Sequence, residues 1–149
     1  YKKGNVLVAL SGVTINLIIT VVTTGIIALM YYLGAFSSVN IETMYSMSNI
    51  ASIVVWIFYE IAYLNLVLCF FNLIPIPPLD GHHLIKGYIA RKSPRFYMIY
   101  NQYGYLFLLV LLFFVSPFRQ GFTWLITAVF KGIIWLFGLS GFFSAVLGI

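Results

Sequence analysis

The sequence has 149 residues, of which 62% are hydrophobic and 7% charged, and its mean hydropathy is +1.04. Soluble domains carry about 25% charged residues, so this composition excludes a soluble globular fold and defines an integral membrane protein. The net charge of +5 does not point to nucleic acid, because the cations flank apolar runs instead of forming a stripe on a polar face.

Lys2 and Lys3 precede an apolar run from Val6 to about Leu33, long enough to cross a hydrocarbon core that takes roughly 20 helical residues. It lacks the small-residue cleavage pattern of a signal peptide and is read as a first span. Within it Gly12 and Asn16 share a helix face. Two readings stay open: a packing face where a small residue permits close approach, or an Asn that lines a site. The polar stretch Gly34 to Ser48 reads as a loop outside the membrane core.

A second span is predicted from about Asn49 to Phe71, with Glu60 near its middle. An ionisable group there faces the bundle interior, as a protonated hydrogen-bonded residue or as a functional carboxylate. The structural role is favoured, because no other acidic residue lies nearby in sequence to build a ligand cluster. The single Cys69 excludes an internal disulfide.

The apolar run then stops at Ile74-Pro75-Ile76-Pro77-Pro78 and delivers Asp80. Three prolines remove backbone donors and fix φ, so residues 74–78 cannot continue a helix and are expected to run extended. Non-helical backbone at membrane depth is tolerated only where protein or a water-filled cavity surrounds it. A carboxylate just beyond such a break is therefore a site candidate. From Leu79 to about Ala90 a short helix resumes, with Leu84, Ile85, Tyr88 and Ile89 at helical spacing. Two explanations of Asp80 compete. It caps that helix, or it offers a hard oxygen to a metal, with Gly81 letting backbone pack beside it. His82 and His83 point about 100° apart on a helix and cannot readily chelate one ion together with Asp80. Direct ligation, a polar role on the substrate side and an interfacial position all stay open for them, the last favoured.

Lys86, Arg91, Lys92 and Arg95 form a basic juxtamembrane loop. A third span follows from about Tyr97 to Val115, its tyrosines Tyr97, Tyr100, Tyr103 and Tyr105 placed as an aromatic belt. Arg119 marks a turn, and a fourth span, loosened by glycines, runs from about Phe122 to Ile149. The expected fold is thus an all-α polytopic bundle of about four spans, with a proline-rich non-helical segment before a short helix. It forms one membrane-embedded domain over residues 1–149. Lys2, Lys3, Lys86, Arg91, Lys92 and Arg95 fall on one side and Arg119 on the other. The positive-inside rule makes the six-cation side, and the Lys86 to Arg95 loop, cytoplasmic.

The residues Asn72, Pro75, Leu79, Asp80 and Gly81 resemble the Asn-x-x-Pro-x-x-x-Leu-Asp-Gly signature of the site-2 protease family of intramembrane zinc metalloproteases. A second stretch, Leu7 to Leu17, is similar to that family's Ala-Gly-Pro-x-x-Asn-Leu segment, with Val13 where proline is usual. The resemblance implies that Asp80 is one protein ligand of a catalytic zinc. The other two would be histidines of an upstream His-Glu-x-x-His helix, whose Glu is the general base. No such motif occurs in these 149 residues, and the chain begins at Tyr1, so it is read as the carboxyl-terminal part of a longer protein. By the same resemblance Asn72 acts as electrophile or positions substrate, and Asn16, Pro75 and Gly81 line the site. The implied activity is hydrolysis of peptide bonds in or near transmembrane segments of membrane-protein or peptide substrates. The implied location is the plasma membrane of a prokaryote. The alternative is a non-catalytic membrane module that binds single-span partners.

Overall fold

The computed structural model describes residues 2–46 and 49–147. They form seven helices: α1 Lys2–Tyr32, α2 Ile41–Ser46, α3 Ile50–Leu73, α4 His82–Lys92, α5 Pro94–Phe114, α6 Ser116–Leu136 and α7 Ser140–Leu147. No strand occurs among the described residues. The all-α membrane bundle expected from composition is what the chain builds. Three helical segments, Leu10–Tyr32, Ile50–Leu73 and Pro94–Phe114, are long and apolar enough to cross a bilayer. Exposed side chains such as Ile15, Ile18, Val22 and Leu29 recur at helical spacing on α1, as a lipid-facing stripe requires. The protein is an integral membrane protein.

Several boundaries differ from the reading of the sequence. The expected fourth span divides into α6 and α7, because Gly138 takes φ +70 between them, a left-handed conformation that glycine adopts without a Cβ penalty. The expected loop at Gly34 to Ser48 contains α2, whose start is fixed by reciprocal bonds. The Thr43 N–H donates to Asn40 Oδ1 at 2.9 Å and the Asn40 N–H to Thr43 Oγ1 at 2.9 Å, a side-chain capping arrangement. The ends of that predicted loop at Met47 and Ser48, and of the fourth run at Gly148 and Ile149, lie outside the described residues. The basic stretch is not a loop either. Lys86, Arg91 and Lys92 lie on α4 and Arg95 on α5, with Ser93 between. Ser93 leaves the helical region at φ −153 and its hydroxyl accepts from the Phe96 N–H at 3.4 Å, while Pro94 occupies the first helical position, where its missing N–H costs nothing.

The chain divides into two compact units, Tyr1–Asn16 with Val67–Ile126 and Leu17–Leu66 with Thr127–Ile149. In the second unit Ser52, Val55, Ala62 and Leu66 are buried along one face of α3. The buried Thr20 hydroxyl donates to the Ala62 carbonyl at 3.1 Å, the kind of interhelical bond that substitutes for the missing hydrophobic drive between helices in lipid. Phe130 sets its edge against the rings of Tyr59 and Tyr63, with centroids 5.5 and 5.6 Å away, a favoured aromatic geometry. Glu60 is half-buried on α3 in this unit. The first unit carries the proline segment and α4, packed against α5.

Candidate functional site

The first unit is built around the ten residues from Asn72 to Gly81. Helix α3 ends at Leu73 because Pro75 cannot donate to a helical ladder and disfavours helical dihedrals in Ile74. The segment is non-helical, as the prolines require, but it is not extended. It folds through bends and turns, with Ile76 N–H donating to the Ile74 carbonyl at 2.8 Å and Leu79 N–H to the Ile76 carbonyl at 3.0 Å. The Gly81 N–H then returns to the Asn72 carbonyl at 2.6 Å, closing the segment on itself. These backbone groups are thus paired within the segment itself, as non-helical backbone in lipid would require. The Pro77-Pro78 peptide bond is cis.

Gly81 is required by this closure. A Cβ there would stand 2.5 Å from the Leu73 carbonyl oxygen and 2.6 Å from that of Ile74. Helix α5 holds the segment from the other side. The Tyr100 hydroxyl donates to the Pro75 carbonyl, and a Cβ on Gly104 would meet Pro77 Cδ at 2.7 Å. Tyr100 was expected in an interfacial belt. It is half-buried instead, its ring 5.7 Å from that of His82.

Asp80 is half-buried at the end of the segment. It does not cap α4: the N-cap is Gly81, and no side-chain cap hydrogen bond is made there. Its carboxylate lies against α1 instead, where a Cβ at Gly12 would come within 2.7 Å of Oδ2. Asn16 lies one helical turn along from Gly12 and is half-buried. Asn72 is half-buried, with its backbone in the closing bond, and Pro75 is exposed, held through its carbonyl. The structure thus brings Gly12, Asp80 and Gly81 together and ties Asn72 and Pro75 into the same segment.

The histidines are not displayed at a surface. His82 is 6% exposed, its ring centroid 5.0 Å from that of half-buried His83. Buried His82 Nε2 and His83 Nδ1 find no hydrogen-bond partner among the described residues. Burial, then the neighbouring His83 and Lys86, push the His82 imidazole below its ordinary pKa, so that it is neutral at pH 7. Even so, no three His, Cys, Asp or Glu side chains gather into a metal-binding group among the described residues. These residues do not by themselves fit a complete four-coordinate zinc centre, which takes at least three protein ligands.

Tyr100, Gly104 and Pro77 were not singled out as site residues from the sequence. Their roles come from a contact across some 25 residues between the proline segment and α5, which no local pattern announces.

Residues 2–111 match the family described as "Peptidase family M50". The chain is 31% identical over 127 residues to "Putative zinc metalloprotease YwhC" of Bacillus subtilis, covering 83% of this chain and 51% of that protein. It is 36% identical over 81 residues to "Putative zinc metalloprotease Rip2" of Mycobacterium tuberculosis, covering 54% of this chain and 28% of that protein. The chain therefore spans about half the length of the first relative and less of the second. No solved structure matches it. With the family match running through α1, the proline segment, Asp80 and most of α5, the chain belongs to peptidase family M50, the site-2 protease family.

Proposed function

We propose that this chain supplies the carboxylate side of the active site of an intramembrane zinc metalloprotease, which hydrolyses peptide bonds in or near the transmembrane segments of membrane-protein or peptide substrates. One observation carries the reading: Asp80 ends a self-closed, proline-rich break in the membrane helices, makes no cap, and is set against a glycine of α1. A carboxylate in that position gains nothing for helix α4, so its placement needs another reason. The names of both relatives support zinc.

Asp80 would give one oxygen ligand. Two histidines and a general base would come from outside these 149 residues, which hold no His-Glu-x-x-His motif. Zinc, when bound, supplies a Lewis acid and lowers the pKa of its water. This chain's own contribution is positional. The Gly81-to-Asn72 bond and the Tyr100-to-Pro75 bond fix the direction of Asp80, Gly12 leaves room for it, and Asn72, Asn16 and Pro75 line the approach for substrate. The bacterial relatives and the six-to-one cation count support a prokaryotic plasma membrane with the Lys86 to Arg95 stretch cytoplasmic.

The test is Asp80→Asn in the intact protein, which keeps size and removes the charge a zinc ligand uses. Zinc content and cleavage of a single-span reporter should both fall by more than tenfold, in line with the loss of a ligand. Full zinc and full cleavage would remove Asp80 from the metal site. Full binding of single-span partners by a protein that never cleaves them would favour the non-catalytic module.

A further inference from the structure

Two cavities lie on the helices that flank the α4–α5 junction, one on each, and neither is lined by Asp80 or by Gly12. The first has a volume of about 430 Å³, and Phe96, Ile99, Tyr103 and Phe107 line it along one face of α5, with Ile76 of the proline segment beside them. These four α5 side chains are each more than half exposed. From Phe96 to Phe107 the face runs roughly 16 Å at 1.5 Å per residue, about half of a hydrocarbon core some 30 Å thick. The groove is therefore as deep as one leaflet. The second cavity, about 390 Å³, is lined by Tyr88, Arg91 and Lys92 at the end of α4. There Lys92 Nζ lies 3.5 Å from the Tyr88 hydroxyl and 5.7 Å from the centroid of its ring.

We propose that this junction binds one anionic glycerophospholipid, with the phosphate at Arg91, Lys92 and Tyr88 and an acyl chain along the α5 groove against Ile76. Charge complementarity argues for the headgroup. Neither α4 nor α5 contains an acidic residue, so Arg91, Lys92 and Arg95 have no anionic partner on their own elements. Juxtamembrane cations attract anionic lipid. The groove argues for a chain rather than a peptide. An extended peptide backbone brings N–H and C=O groups that must be paired in lipid, while this wall is aromatic and aliphatic and the Tyr100 hydroxyl is already committed to the Pro75 carbonyl. An acyl chain needs no partners.

The experiment uses the intact protein with Phe107→Trp as a reporter and Trp56, Trp124 and Trp135 replaced by Phe. Phosphatidylglycerol with brominated chains should quench the reporter at a lower mole fraction than phosphatidylcholine with the same chains. Arg91→Gln with Lys92→Gln should erase that preference, by roughly fivefold for each charge removed. Equal quenching by the two lipids would overturn the proposal. So would displacement of phosphatidylglycerol by glycerol phosphate, which has no chain, or by a single-span peptide, which would make the groove a peptide site. If the tryptophan replacements prevent folding, native mass spectrometry of the unaltered protein decides. Phosphatidylglycerol retained equally with and without the Arg91 and Lys92 charges would reject the site.

Discussion

Gly12 of α1 and Asp80 after the proline segment face each other so closely that a Cβ on residue 12 would stand 2.7 Å from the carboxylate oxygen Oδ2. No ordinary carbon–oxygen contact is that short, so a side chain at residue 12 would force the carboxylate or the helix to shift. Gly12→Ala should rotate the carboxylate or move α1 by a few tenths of an ångström. In the intact protein we expect proteolysis to fall about tenfold to a hundredfold, the scale at which small misplacements act. Stability should fall only by about 1–3 kcal/mol. Gly87→Ala is the control, since a Cβ there meets open space and helix propensity favours Ala by up to about 1 kcal/mol. Equal activity of the two variants would show that the contact does not position Asp80.

The glycines of the first unit should rank by what they face. Gly81 abuts backbone carbonyls of Leu73 and Ile74, whereas Gly104 abuts the side-chain ring of Pro77. Backbone carbonyls, one at the end of α3 and one in the closed segment, yield less than a pyrrolidine ring that can change its pucker. Gly81→Ala should therefore lower the thermal midpoint in detergent more than Gly104→Ala, the latter costing about 1–3 kcal/mol as an overpacked contact. The reverse order would mean that the 72–81 segment is not closed as described.

Tyr100→Phe removes one hydroxyl and keeps the ring beside His82. The loss is that of one hydrogen bond, about 0.5–1.5 kcal/mol, with the Pro75 carbonyl left to find another donor. The effect should concentrate in the proline segment, read as faster limited proteolysis between Leu73 and Leu79, while α1 and α5 keep their protection from hydrogen exchange. Uniform loosening of all three elements would assign Tyr100 to general packing.

Topology provides a test that does not depend on activity. If the candidate spans Leu10–Tyr32, Ile50–Leu73 and Pro94–Phe114 all cross, Ser38 and Gly87 should fall on opposite sides of the membrane. Single cysteines at these two exposed positions, in a chain lacking Cys69, should react with an impermeant thiol reagent from opposite faces, Gly87→Cys from the cytoplasmic one. Labelling of both from one face would mean that Ile50–Leu73, the span between them, does not cross.

The sequence by itself determined the class of the protein and the place of its break. Apolar runs some 20 residues long have one stable solution in lipid, a helix that satisfies its own backbone, and prolines at 75, 77 and 78 stop that helix wherever they fall. Cap chemistry is equally local, which is why Asn40 and Ser93 mark helix starts, though the short α2 was hidden in a stretch read as a loop because polarity masks helical periodicity, and α4, expected to end near Ala90, runs on through Arg91 and Lys92. The glycines at 132, 138 and 141 already left the last apolar run open to a break or a tilt, but which of them breaks it was not legible, since a glycine in a helix only sometimes turns left-handed, as Gly138 does. Only the tertiary structure decided where Asp80 lies. Propensity reads an Asp after proline as a cap, but the cap position fell to Gly81, and the carboxylate was set against Gly12. The same holds for Tyr100 on Pro75 and Gly104 on Pro77. These are contacts between elements far apart in the chain, and their existence depends on how closely two backbones approach, a distance that no single stretch of sequence encodes.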